Sequence, residues 1–196
     1  MSRTARPLVI ATAFAVSLVA GLLLMFWAMG GVSKVAQSAA IGGPFQLTDQ
    51  SGKTVTDKSL KGKPTLIFFG YTHCPDVCPT SLFEMSEVLR AMGTDADRVN
   101  AYFITVDPER DNAATMKDYL SSFDPHLKGL TGDPATVAKV TAEYRVYSKK
   151  VPLKDGDYTM DHTALVYLMD RDGKFVAPFN LNRKPEDAAS DLKHYL

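Results

Sequence analysis

The chain has 196 residues, 45% of them hydrophobic and 10% aromatic, enough apolar material to bury a core without a disulfide scaffold and too much for intrinsic disorder. Its 22 basic and 22 acidic residues cancel. The basic footprint that phosphate contacts demand is missing, so no nucleic-acid partner is expected.

Leu8 to Met29 is a 22-residue run without a charged side chain. At about 1.5 Å per residue it reaches roughly 33 Å as a helix, against a hydrocarbon core of about 30 Å. A single transmembrane anchor is therefore expected over 8–29. Arg3 and Arg6 precede it and Lys34 alone follows closely, which leaves residues 1–7 cytoplasmic and the body exported. The expected location is a bacterial-type inner membrane with the C-terminal domain in the periplasm, or an equivalent intermembrane compartment. A cleaved signal peptide ending near Ser38, Ala39 and Ala40 is the alternative. The length of the run and the Phe26-Trp27 pair, suited to a membrane interface, favour the anchor. No cysteine lies nearby for lipid attachment.

Residues 30–43 are small and weakly polar and read as a tether. One domain is expected over 44–196. Phe45 and Leu47, then Thr54 and Val55, suggest a short hairpin turning at Asp49 to Lys53. Thr65 to Gly70 is a continuous apolar run bounded by Pro64 and Gly70, the pattern of a central strand buried on both faces. From Thr80 to Met92 apolar residues recur at helical spacing, with Gly93 as the stop. Val99 to Val106 is a second strand, followed by helices over Ala114 to Phe123 and Pro134 to Tyr144. Thr163 to Met169 and Lys174 to Ala177 pair across the turn Asp170-Arg171-Asp172-Gly173, and Pro185 opens a last helix. The alternation predicts an α/β architecture with a mixed central sheet flanked by helices.

The only two cysteines, Cys74 and Cys78, stand four apart between the central strand and the first domain helix. Strand ends in such sheets are where ligands bind, and a helix N-terminus favours thiolate, so both sulfurs are expected to be reactive. A bridge between them would close too small a loop to stabilise the fold much, which leaves redox or metal chemistry as the better use. Thiolates suit Cu(I) and zinc, and a histidine would sharpen the choice. His73 adjoins Cys74 and is a candidate ligand or electrostatic partner. His126 and His194 read as solvated surface residues. His162, in Tyr158-Thr159-Met160-Asp161-His162-Thr163, stands in a strand-entry loop that can face the cysteines.

Three motifs carry a resemblance: Tyr71-Thr72-His73-Cys74-Pro75-Asp76-Val77-Cys78-Pro79-Thr80, then Thr105-Val106-Asp107-Pro108-Glu109-Arg110-Asp111, then Asp161-His162-Thr163. In this order they resemble the Sco family, also called SenC, of copper-binding proteins that assist cytochrome c oxidase assembly. The resemblance covers most of residues 44–196 and implies a thioredoxin-like fold. It also implies one copper, Cu(I) or Cu(II), held by Cys74, Cys78 and His162, with the two cysteines also forming a redox disulfide. The implied partner is the copper-bearing oxidase subunit, whose dinuclear-centre thiols would receive copper or be kept reduced. Another periplasmic copper chaperone or a thiol reductant would act upstream. Asp161 is a candidate to fix the imidazole tautomer from the second shell. Asp107, Glu109 and Arg110 are left open between orienting the site, binding a partner and a local ion pair.

The chief alternative is a thiol-disulfide oxidoreductase with Cys74 as nucleophile and Cys78 as resolving thiol, although the spacing exceeds that of Cys-x-x-Cys. A peroxidase of the peroxiredoxin kind and a structural zinc module are weaker rivals, the latter because no fourth protein ligand stands out. Enzymatic activity is thus left open, a metallochaperone being favoured.

Overall fold

The computed structural model describes residues 5–28, 41–154 and 156–196. The chain divides into two units, 1–40 and Ile41–Leu196. In the first, Ala5–Ala28 forms helix α1, 24 residues long. Its described side chains, those of 13–25, are exposed throughout. Among the described residues no helix is long and apolar enough to cross a membrane. The span expected over 8–29 runs past the described side chains at both ends, as does the Phe26-Trp27 pair. Most of the expected tether, 30–40, also lies outside the described residues.

The second unit is built on a seven-stranded sheet of order β2-β1-β5-β4-β3-β8-β9. Its strands are β1 (Gln46–Asp49), β2 (Thr54–Thr56), β3 (Thr65–Gly70), β4 (Asn100–Thr105), β5 (Leu127–Thr131), β8 (Val166–Met169) and β9 (Phe175–Pro178). Strands β3, β4 and β5 are parallel, whereas β1, β8 and β9 join antiparallel, giving the mixed, thioredoxin-like sheet that was expected. Helices α2 (Val77–Met92), α3 (Ala113–Leu120), α4 (Pro134–Glu143) and α5 (Pro185–Lys193) flank it. A separate two-stranded sheet pairs β6 (Ser148–Pro152) with β7 (Tyr158–His162).

β3 is buried at every position, which explains why its sequence runs apolar without alternation. Phe68 stacks on Phe103 of β4 with ring centroids 6.0 Å apart, and Leu82, Met85 and Leu89 of α2 are fully buried. Each such side chain contributes about 1.5–3 kcal/mol of transfer free energy. At the end of β3, Gly70 is needed for close approach: a Cβ there would stand 2.7 Å from Cys78 Sγ and 2.8 Å from the Phe103 ring.

Two differences from the sequence expectation bear on function. Helix α2 begins at Val77 rather than near Pro79, so Cys78 lies inside its first turn, where proline is tolerated because the early amides have no helical partner. Ser148–Pro152 and Tyr158–His162 pair as the β6–β7 hairpin, so His162 ends a strand rather than standing in a loop that leads into one.

His126 is not simply solvated: its Nδ1 lies 2.7 Å from Asp124 Oδ1 and its Nε2 3.2 Å from Asp97 Oδ1. The Asp124 hydrogen bond raises its pKa above the ordinary value, and the bond to Asp97 adds to this. Such a group adds stability that is complete below the unfolded value of about 6.5 and fades as the pH rises through the folded one. His126→Gln is therefore expected to cost about 0.5–1 kcal/mol near pH 5.5 and little near pH 9, read by chemical unfolding. An equal loss at both would contradict the ion pairing. Gly70→Ala, which forces either Cys78 or Phe103 aside, is expected to cost about 1–3 kcal/mol in the same measurement, and an unchanged midpoint would show that α2 yields freely.

Candidate metal centre

The chain leaves β3 at Gly70, runs through Tyr71 to Asp76, and enters α2 at Val77. That path delivers both cysteines to the strand end. Cys78 is buried and Cys74 partly so, and both are free thiols. The Cys78 amide donates to Cys74 Sγ at 3.4 Å, one of the first-turn amides that the helix leaves without an internal partner. His162 arrives from the end of β7, with Nε2 3.4 Å from Cys78 Sγ. The donor atoms of Cys74, Cys78 and His162 all lie within 4.8 Å of one another, a grouping able to hold a metal ion.

The imidazole is oriented by its surroundings. Nδ1 lies 3.1 Å from the Thr163 carbonyl, which can only accept, so Nδ1 carries the proton and Nε2 turns its lone pair toward the sulfurs. The ring meets Tyr71 edge-on at 5.8 Å and Phe68 at 6.2 Å. Asp161 does not fill the role expected of it. Successive side chains on a strand face opposite ways, and Asp161 is exposed opposite Lys149 while the tautomer is set by the backbone.

Burial dominates the electrostatics. It pushes the Cys78 thiol far above its ordinary pKa, and the neighbouring Cys74 adds to the shift. The expectation that both sulfurs are activated by the helix terminus thus fails for Cys78, because desolvation outweighs the dipole. Burial likewise holds His162 below the usual imidazole value, so at neutral pH the ring is uncharged and available as a ligand.

His73 stands apart from this group. Its side chain is 49% exposed, and its Nδ1 lies 3.0 Å from Thr72 Oγ1 and 3.9 Å from Asp111 Oδ1. Thr72 spends its own hydroxyl proton on Asp111 Oδ1 at 2.6 Å, so it accepts from His73. His194 closes α5 at its C-cap. One residue that sequence reasoning left without a role is Asp111. Its carboxylate is fully buried and accepts from the Thr72 amide at 3.0 Å and from the Thr105 hydroxyl at 2.7 Å, as well as from the Thr72 hydroxyl. Burial raises its pKa, against the pull of these hydrogen bonds. The only signal available beforehand was its place at the end of the Thr105-to-Asp111 motif.

The SCO1/SenC family model matches residues 33–196. The chain is 38% identical over 166 residues to the SCO2-like protein of Rickettsia felis, a match spanning 84% of this chain and 81% of that protein. The solved structure of Bradyrhizobium japonicum ScoI with copper bound shares 83% sequence identity at a TM-score of 0.79, over 80% of this chain and 100% of that one. BsSco, a member of the Sco family of cytochrome c oxidase assembly proteins in which a disulfide switch has been identified, aligns at 26% identity and a TM-score of 0.63, over 80% and 93% of the two chains. The family match embraces every element of the sheet, both cysteines, His162 and the Thr105-to-Asp111 motif, and on that ground the chain belongs to the SCO1/SenC family.

Proposed function

We propose that this chain is a membrane-anchored copper-binding protein of cytochrome c oxidase assembly, holding one copper through Cys74, Cys78 and His162. The observation that carries the reading is the convergence of two sulfurs and one imidazole nitrogen within 4.8 Å. This donor set is soft and suits Cu(I), and one further ligand would complete a Cu(II) shell. The bound copper is the cargo that a dinuclear centre in an oxidase subunit would receive. The copper-bound form of the 83% identical ScoI supports the same assignment.

The chain's own residues provide the conditions for loading. The partly exposed Cys74 is the entry ligand, and the buried Cys78 completes the grip by giving up a proton that burial otherwise retains. His162 needs to lose none, since it is neutral with its proton on Nδ1 and its Nε2 lone pair facing Cys78 Sγ. A disulfide between Cys74 and Cys78 would consume both sulfurs, so loading requires the reduced state, maintained by a thiol reductant or preceded by delivery from another copper chaperone. The uncharged run Leu8 to Met29 supports the anchor, and within 13–25 the only polar side chain, Ser17, returns its hydroxyl to the Ala13 carbonyl at 3.0 Å. Arg3 and Arg6 before that run, against Lys34 after it, support a domain on the periplasmic or intermembrane side. A second reading, thiol-disulfide exchange with the oxidase subunit's cysteines, is favoured by the partial exposure of Cys74 beside the buried Cys78 thiol.

The full chain, purified in detergent, reduced and given copper anaerobically, is expected to bind one copper tightly. Cys74→Ser, Cys78→Ser and His162→Ala are each expected to lose at least about tenfold in affinity, the scale on which metal sites respond to lost partners. Failure of the wild type to bind, or indifference to His162, would remove the copper reading and leave thiol exchange as the better account.

A further inference from the structure

The site depends on a histidine carried by an element that cannot place itself. Strands β6 and β7 pair only with each other and form no rung with the seven-stranded sheet. A two-stranded hairpin is at best marginally stable alone, so what fixes its attitude must come from outside it. Besides the 2.7 Å hydrogen bond between the Tyr71 and Thr159 hydroxyls, a group of contacts that tie it down converges on the turn after β4. The Tyr158 hydroxyl donates to Asp107 Oδ1 at 2.9 Å, and Arg110 donates to the Tyr158 carbonyl at 3.0 Å and to Asp157 Oδ1 at 3.2 Å. The Arg110 guanidinium also lies 3.7 Å from the centre of the Tyr158 ring, and its Nε donates to Asp107 Oδ2 at 2.5 Å. Lys150 joins from β6, 4.2 Å from the same ring and 2.7 Å from Glu109.

The Lys150–Glu109 pair and Asp157 lie at the surface, but the pair at the centre of the group does not. Asp107 is 2% exposed and the Arg110 side chain 17%, so the pair is held in a desolvated position where its geometry is fixed. The turn is itself braced, with the amides of Arg110 and Asp111 donating to the Asp107 carbonyl and the Asp107 amide to Thr105 Oγ1. Its last residue, Asp111, grips Thr72, two residues before Cys74. One turn therefore holds both the cysteine loop and the histidine hairpin. Tyr158 stands four residues before His162, about 13 Å along the strand, so a tilt about that end moves Nε2 relative to the sulfurs.

We propose that Asp107, Arg110 and Tyr158 are positioning residues for the metal site, clamping the β6–β7 hairpin so that His162 meets Cys74 and Cys78. This rests on the copper site proposed above. It gives the Thr105-to-Asp111 motif a function in the geometry of binding without placing it among the ligands.

The test compares the full chain in detergent with Tyr158→Phe, Arg110→Lys and Asp107→Asn, each alone and combined with His162→Ala. Cu(I) affinity is read by competition with a chelator, the Cu(II) form by its visible and electron paramagnetic resonance spectra, and folding by circular dichroism. The clamp variants are expected to stay folded, to lose about tenfold in affinity, and to shift the Cu(II) spectrum toward that of His162→Ala. In the His162→Ala background the same substitutions should change affinity by less than about twofold, because the ligand they position is already gone. Tyr158→Phe removes a single hydroxyl and keeps the ring, so it remains informative if the charge variants fold poorly. Wild-type affinity and spectra in Tyr158→Phe and Arg110→Lys, or an equal loss with and without His162, would overturn the proposal. A wild type that binds no copper, or a silent His162→Ala, would instead overturn the site reading on which it stands.

Discussion

The hydrogen-bonded ladder between β3 and β4 ends at the pair Gly70 and Thr105, and the candidate site depends on that pair. The Val106 amide donates to the Gly70 carbonyl at 2.8 Å, so the two chains leave the sheet side by side and in register. From one exit comes the loop that carries Cys74 and Cys78, and from the other the turn that carries Asp107, Arg110 and Asp111. The ladder persists to that point because both strands are buried, so their amides and carbonyls must find partners on neighbouring strands. Ligand loop and supporting turn are thereby held at the buried centre of the sheet, the arrangement a preorganised site needs.

Desolvation gives this place its chemical character. It pushes the Cys78 thiol upward and the His162 imidazole downward, so both groups favour their neutral forms. A pocket of neutral donors with lone pairs avoids the expense of a buried, unpaired charge and still presents soft ligands to an arriving cation. A buried carboxylate beside it, Asp111, is surrounded by three donors, from the Thr72 amide and the hydroxyls of Thr72 and Thr105, and so serves as a structural acceptor rather than a ligand.

The division between a seven-stranded body and a separate hairpin sets the mechanical problem of the fold. The cysteines belong to the body and the histidine to the hairpin. Apolar burial anchors the first firmly, whereas β6 and β7 contain no fully buried residue and have little of it to use. Directional contacts take over there: Tyr71 and Thr159 share a hydrogen bond of 2.7 Å, and Arg110 reaches the backbone of Tyr158. Hydrogen bonds and a cation over a ring have narrow optima in angle and distance, which apolar packing lacks.

Where burial is the organising force, the sequence by itself determined the outcome. The unbroken apolar run of β3, the helical spacing of α2, the Asp170-to-Gly173 turn and the pairing of Cys74 with Cys78 at a strand end were all legible, because apolar periodicity and turn chemistry are local. His162 as the third member was readable only through resemblance to a family, since its donor approaches sulfurs 84 positions earlier in the chain. Strand β5 escaped notice because it is five residues long and carries Lys128 and Gly129. The β6–β7 hairpin escaped because it faces solvent, contains Pro152, and has no alternating apolar face. Tertiary structure alone decided the depth of Cys78, the choice of the Thr163 carbonyl over Asp161 as the imidazole's partner, and the reach of Asp107, Arg110 and Asp111 to either side. Those outcomes turn on desolvation and on contacts between residues far apart in the chain, and neither is written into local spacing.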